Sequence, residues 1–327
     1  MKKIKVGTVC CEQKFITYSL IPAVIKSIVN VEFIENFREA DIVICGPFSI
    51  FEHLSAINKL IFRSRLKTNQ EWANKNIRDK FDPCKTQVWL HYSGESPSIG
   101  KNSSFLNSGC DFGIGHEVLA NRKYFRMPLW YSSLDWKHEG VSRANESFIR
   151  FGQPIVINKV MSGISCKEWN KRNFSCALVS SHTRSPRDII LDTLNEFMQV
   201  KIYGLQGSGV CQFKSNTAKL DIYSGHALAL CPENQVYPGY ITEKILEAFA
   251  GGCLAIGWYH KAQKDFCTES HINLFTGDED FSINQIKVVV DEKISLIRSE
   301  GLAPLLVIRP TLDGLKNFLL NTMNECR

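Results

Sequence analysis

The sequence predicts an α/β protein of two units, each a parallel sheet covered by helices. Three observations predict it. The chain has 327 residues, and at roughly 100–200 residues per domain that length suits two. Short β-branched apolar runs alternate with helical stretches. The alternation stops at Phe151 to Trp169, a stretch with Gly152, Pro154 and Gly163 that reads as a linker, and then restarts.

In order, Ile4 to Cys10 reads as a strand, Ile16 to Val29 as a helix and Val31 to Ile34 as a short strand. Ala40 to Gly46 is a clearer strand, apolar and ended by Gly46-Pro47. The basic stretch from Lys59 to Lys85 reads as helical with a polar loop, and Gln87 to Tyr92 as a strand running into Ser93-Gly-Glu-Ser-Pro97. Past the linker come a strand at Phe174 to Ser181, a helix from Pro186 to Phe197 with proline in its first turn, and a strand at Val200 to Tyr203. A fully buried strand follows at Ala227 to Cys231, then a helix at Thr242 to Ala250 and a strand at Leu254 to Trp258. Domains of 1–155 and 156–327 result.

The net charge is +6, and residues 59–85 carry +5 of it. That stretch reads as a solvated helix face, the alternative being a surface for anionic lipid or an anionic glycolipid. Phe62, Trp72 and Phe81 are its only aromatics and no nucleic-acid motif accompanies them, so a nucleic-acid partner is not expected. The twelve cysteines are scattered without C-x-x-C or zinc spacing. Four of them, Cys45, Cys176, Cys231 and Cys253, lie in apolar runs as small hydrophobes. The usage favours a reducing compartment. The apolar run after the N-terminal lysines is too short for a signal core, and no run of about 18 apolar residues follows. The expectation is a cytoplasmic chain, with peripheral contact at the inner membrane face through 59–85 as the alternative to a solvated face.

The most informative segment runs from Cys231 to Gly252. A buried strand delivers a polar loop holding Glu233, Asn234 and Tyr240, and Thr242 is placed to cap the helix that follows. Ligands of open α/β sheets collect at the C-terminal ends of strands, and a helix start favours phosphate. Lys244 adds a positive charge there, and Glu243 can accept hydrogen bonds from sugar hydroxyls. The composition suits a ligand with a diphosphate and a ribose, although an ordinary capped α/β loop would read the same way. No Gly-x-Gly-x-x-Gly opens either unit and no P-loop is present.

Four stretches in series resemble glycosyltransferase family 10, the α-1,3/4-fucosyltransferases. Cys231-Pro-Glu-Asn234 and Tyr240-Ile-Thr-Glu-Lys244 are similar to its C-P-E-N and Y-[IV]-T-E-K signature. His91 to Pro97 resembles its Y-T-G-E-N-x-x-P motif, Tyr124 to Tyr131 its Y-L-R-M-P-L-Y-Y motif, and Phe174 to Arg187 its strand-loop-helix ending in P-I-R. The sequence departs where the family has P-I-Y-W-G: Ala255-Ile-Gly-Trp-Tyr259 replaces the proline and exchanges the tyrosine and glycine around Trp258. Gln235 replaces a serine. The membrane anchor and lumenal disulfides of animal members are not in the sequence, so the chain resembles a short bacterial form.

The resemblance implies a GT-B fold, two Rossmann-like domains facing a central cleft, with the acceptor toward the first and the nucleotide in the second. The C-terminal helix would pack back on the first. It implies GDP-fucose as donor substrate, no obligatory cofactor and a divalent metal that is at most stimulatory. Arg187 and Lys244 would face the diphosphate, Glu243 would hold the ribose, and Asn234 and Tyr240 would line the donor pocket. Inverting transfer of L-fucose to O3 of a GlcNAc or Glc in an oligosaccharide or glycolipid needs a base, and Glu95 in the acceptor-domain motif is the expected one. The competing reading of Glu95 is a turn cap or an arginine partner.

His116 and Glu117 read either as lining of the acceptor cleft or as a satisfied polar pair. Arg126 reads as an acceptor ligand or a brace. Trp130, Tyr131 and Trp136 read as core, with sugar stacking as the alternative, and Trp258 as core of its strand. Asp278-Glu-Asp280 reads as an exposed acidic loop, so no metal site is expected. A transferase for another nucleotide sugar such as GDP-mannose is the nearest alternative function, and a non-catalytic nucleotide-sugar or glycan-binding protein the next.

Overall fold

The structure is a computed structural model that describes residues 3–11, 15–47, 75–81, 83–84, 86–96, 103–143, 154–180, 187–204, 218–260, 265–275 and 283–325. Most of the basic stretch at 59–85, Pro186 and the acidic run Asp278-Glu-Asp280 lie outside the described residues.

The chain divides into two compact units. The first comprises Met1–Pro128, Trp136–Asn145 and Thr311–Arg327. Its strands are β1 (Ile4–Val9), β2 (Val31–Phe33), β3 (Ile42–Cys45), β4 (Val88–Ser93), β5 (Phe112–Gly115) and β6 (Tyr124–Arg126). They form a sheet in the order β2-β1-β3-β4-β5-β6, all pairs parallel. All four residues of β3 are buried, the continuous apolar run expected of a strand covered on both faces. Val9, Val43, Ile77 and Trp89 form a core cluster with Phe37 edge-on to Trp89.

The helix expected at Ile16 to Val29 is two helices, α1 (Phe15–Tyr18) and α2 (Leu20–Ile28). Pro22 explains the break: it lacks an N–H, and its ring crowds the carbonyl four residues back, at Tyr18. In the same unit, α3 (Phe105–Ser108) is one turn long.

The second unit comprises Leu129–Asp135 and Glu146–Pro310. Residues 154–169, read as linker, hold two short helices, α4 (Ile157–Met161) and α5 (Cys166–Trp169). Ser165 and Glu168 form a capping box on α5, a Ser-x-x-Glu pattern that the linker reading passed over. The strands are β7 (Asn173–Val179), β8 (Val200–Tyr203), β9 (His226–Pro232), β10 (Leu254–Trp258) and β11 (His271–Asn273). Between them come α6 (Arg187–Asn195), α7 (Ala218–Ser224) and α8 (Lys244–Ala250), and α9 (Ile283–Glu300) follows.

The second sheet has the order β11-β10-β9-β7-β8, again with parallel pairs throughout. Counted from its own first strand, it repeats the 2-1-3-4-5 order of the first sheet. The strand order reverses between β7 and β9, and such a switch point is where open α/β sheets bind ligands.

The last helix, α10 (Asp313–Asn324), belongs to the first unit. The Glu139 carboxylate accepts from the Leu312 backbone N–H and pairs with Lys316 Nζ at 3.1 Å. Phe318 of α10 packs against Phe112 and Phe125. Among the described residues no helix is long and apolar enough to cross a membrane.

Candidate functional site

The switch point of the second sheet holds a small cavity. It is lined by Leu178 and Val179 at the end of β7, Leu230, Cys231 and Pro232 at the end of β9, Tyr223 of α7, Arg187 and Lys244. The last two are the first residues of α6 and α8. The helices that follow the two switch-point strands in the chain thus each bring one cation to the same cavity.

Arg187 is buried, yet its guanidinium is held from two sides. Nη1 donates to Ser180 Oγ at 2.7 Å, and Nη2 donates to Asn234 Oδ1. Burial pulls its pKa down, against the charges of Glu233, Tyr240 and Glu243. Asn234, expected in the donor set, thus braces Arg187, while its own residue is exposed.

Lys244 keeps 21% of its side chain exposed and places Nζ 2.7 Å from Glu233 Oε2 and 2.8 Å from Thr242 Oγ1. Burial depresses its pKa, but the Glu233 and Glu243 carboxylates outweigh that and raise it. Thr242 does not cap α8 as expected. Its backbone N–H and its hydroxyl both go to Glu233, and the residue at the cap position is Glu243, with no side-chain cap bond. The buried Glu233 carboxylate outcompetes the helix end because it would otherwise lie unpaired in the interior.

Glu243 is buried, and its Oε2 has no hydrogen-bond partner among the described residues. Tyr240 is buried in the same loop. Sequence reasoning gave no role to Glu247 or Lys219. Glu247 lies one turn past Glu243 and pairs with Lys219 Nζ at 3.0 Å. Burial raises its pKa to about 8, with Lys219 offsetting part of the effect. The signal was present: a glutamate at i+4 from Glu243 falls on the same helix face, and that face is inward.

The first unit carries the remaining expected residues. Glu95 follows β4, half-buried, and its backbone N–H donates to Ser93 Oγ at 3.1 Å. The β4–β5 register sets Ser93 against Gly115, and His116 comes next in the chain. Burial, with the Arg126 charge adding to it, lowers the His116 pKa to about 4, and the nearby Ser93 backbone offsets only part of this. Arg126 Nε donates to the His116 carbonyl at 3.3 Å. Glu117 is fully engaged in structure, accepting from Ser104 Oγ and from the Phe105 N–H that opens α3. His116 and Arg126 are thus brought together beside the Glu95 turn, while Glu117 is a helix anchor.

Trp130 and Trp136 are buried as expected. Trp258, expected in the core, is half-buried at the strand end, edge-on to Phe275. Cys45, Cys176, Cys231 and Cys253 are buried free thiols. Among the described residues no group of three or more His, Cys, Asp or Glu side chains is arranged to hold a metal.

Residues 169–282, which include both cations and the whole Glu233–Lys244 loop, match the model of glycosyltransferase family 10 (fucosyltransferase) C-term. Over 248 residues the chain is 28% identical to alpha-(1,3)-fucosyltransferase FucT of Helicobacter pylori, covering 71% of this chain and 49% of that protein. The chain spans about half the length of this curated relative. Crystal structures of an alpha1,3-fucosyltransferase with GDP-fucose and with GDP are similar to it at TM-scores of 0.61 and 0.63, with 18% and 19% identity. Each comparison covers 98% of this chain and 90% of the other. The chain therefore has a GT-B α/β fold, and its residues 169–282 match the C-terminal domain model of glycosyltransferase family 10 (fucosyltransferase).

Proposed function

We propose that the chain transfers L-fucose from GDP-β-L-fucose to a hydroxyl of a glycan acceptor, with inversion at the anomeric carbon. The observation that carries this reading is the convergence of Arg187 and Lys244 on one cavity at the switch point, inside the segment that matches the fucosyltransferase model. Two cations suit a leaving diphosphate, which develops negative charge as the bond from the anomeric carbon to its oxygen breaks.

In this reading the acceptor oxygen forms the new bond to the anomeric carbon and passes its proton to Glu95. Arg187 and Lys244 neutralise the departing GDP. Glu243 Oε2, which has no hydrogen-bond partner among the described residues, accepts from a ribose hydroxyl, and Asn234 and Tyr240 complete the pocket, Asn234 by holding Arg187. His116 and Arg126 serve the acceptor side. The relative's α-1,3 specificity and the family resemblance support O3 of a GlcNAc or Glc as the acceptor position. No obligatory metal is invoked, since the two cations occupy the role a metal would have.

Calorimetric titration tests the donor half. GDP should bind, UDP should bind at least about tenfold more weakly, and Arg187→Ala should weaken GDP by roughly 10- to 100-fold, the range for a lost charge-assisted contact. Equal affinity for GDP and UDP, or an Arg187→Ala protein that binds GDP as the wild type does, would overturn the assignment.

A further inference from the structure

Glu233 lies directly behind Lys244, and its surroundings are those of a device rather than of a filler. The carboxylate has no exposed surface. Its backbone N–H donates to the Trp258 carbonyl at 3.1 Å, which pins the residue to β10 just past the end of β9. Oε1 accepts from the Thr242 N–H at 2.7 Å and lies 2.9 Å from Thr242 Oγ1. Oε2 lies 2.8 Å from the same hydroxyl and accepts from Lys244 Nζ at 2.7 Å. Nζ donates in turn to Thr242 Oγ1 at 2.8 Å. The three side chains thus close a ring of hydrogen bonds.

The two oxygens have separable tasks. Oε1 fixes the backbone of the loop entering α8. Oε2 holds the ammonium. Among the described residues two of the three donors on Nζ are occupied, both on the protein side, and Lys244 also lines the cavity. An ammonium on a flexible four-carbon stem otherwise samples many positions, and restraining it before a ligand arrives lowers the ordering cost of binding.

We propose that Glu233 is a positioning residue for the donor: without touching the nucleotide, it fixes the Lys244 ammonium so that its remaining N–H meets the diphosphate. The inference rests on the donor reading above, in which Lys244 contacts the diphosphate. The nearby carboxylate also favours the charged form of Lys244.

Glu233→Gln isolates the second task. The amide oxygen keeps an acceptor for the Thr242 N–H, and the amide nitrogen puts a donor where Nζ needs an acceptor. Wild type, Glu233→Gln, Lys244→Met and the double variant are titrated with GDP and with guanosine, which lacks the phosphates. Glu233→Gln should lose roughly 10- to 100-fold in GDP affinity, as for a lost hydrogen bond to a charged group, and nothing toward guanosine. In the Lys244→Met background it should have no further effect on GDP.

Equal losses for GDP and guanosine would make Glu233 a purely structural residue and overturn the proposal. So would an unchanged GDP affinity, or a full additional loss in the Lys244→Met background. A wild type that binds guanosine and GDP equally would instead remove the donor reading, and the inference with it. If Glu233→Gln fails to fold, Thr242→Val takes its place: it leaves the carboxylate, removes one of the two bonds on Nζ, and should give the same GDP-selective loss in smaller measure. Its failure to do so overturns the proposal equally.

Discussion

The ring of Tyr259 lies where a side chain at Gly257 would have to go: a Cβ built on Gly257 would sit 3.1 Å from Tyr259 Cδ1 and 2.9 Å from Ile245 Cδ1. Gly257 lies on β10 and Tyr259 just past its end, and the Tyr259 ring fills the layer that a side chain at Gly257, the position of the tyrosine in the P-I-Y-W-G pattern, would enter. Tyr259 is buried, and its hydroxyl pairs with His271 Nε2, whose ring is fixed on the other side by the Cys267 carbonyl. The exchange of tyrosine and glycine around Trp258 is thereby a compensated one.

Coupling between the two positions follows. Gly257→Tyr alone should destabilise by about 2 kcal/mol through overpacking, and Tyr259→Gly alone by about 3 kcal/mol through the cavity it leaves. The double variant should lose less than the sum of the two, read from urea midpoints. Strict additivity would show that the two positions do not share one space.

Gly252 is a second place where only glycine fits. Its φ is +91°, and a Cβ would lie 1.8 Å from Arg172 Nη2. Arg172 Nη1 meanwhile donates to the carbonyls of Tyr223, Ser224 and His226, tying the α7–β9 turn to the start of β7. Gly252→Ala should cost on the order of 2 kcal/mol from the left-handed backbone and the displaced guanidinium. Thermal melting reads the loss, and a melting temperature equal to that of the wild type would refute the arrangement.

Glu247 gives a pH signature. Its folded pKa of about 8 lies above its ordinary value because of burial. Between roughly pH 4.5 and 8 the folded state holds a proton that the unfolded state has released. Stability therefore falls as pH rises through that window and levels off above it. Glu247→Gln should flatten the fall by on the order of 2 kcal/mol, seen as denaturation curves at pH 5, 6.5 and 8. Parallel pH profiles for the two proteins would contradict the buried-carboxyl account.

His116 and His271 act with the opposite sign. Burial holds both near a pKa of about 4, below the ordinary value, so the unfolded state takes up their protons first. Stability contributed by keeping them neutral is intact above about pH 6.5 and is lost as pH falls toward 4. His271→Gln should reduce that acid-side loss, and a profile identical to wild type below pH 6 would count against it.

The parallel sheets were legible because their strands are short apolar runs buried on both faces, as Ile42 to Cys45 and Ala227 to Cys231 show. The Arg187 and Lys244 pair was legible through motif resemblance, although the sequence could not show that Asn234 would brace the arginine. What escaped was set by tertiary competition. Thr242 has the chemistry of a helix cap, yet Glu233, nine residues earlier, claims its N–H and hydroxyl because a buried carboxylate without partners costs more than a frayed helix end. Glu247 drew no role from the sequence because its partner Lys219 lies 28 residues earlier and meets it only through the fold. The linker reading of 154–169 failed because its helices are single turns, too short to show a period.

The most direct test of the central claim is mass-spectrometric detection of sugar transfer to N-acetyllactosamine from GDP-fucose, GDP-mannose and UDP-galactose, by wild type and by Glu95→Gln. The account predicts transfer of fucose alone, and a drop of roughly 100-fold or more in the variant with its GDP affinity retained, as for loss of a general base. Transfer from GDP-mannose or UDP-galactose at the rate seen with GDP-fucose, or a Glu95→Gln protein as active as the wild type, would contradict it.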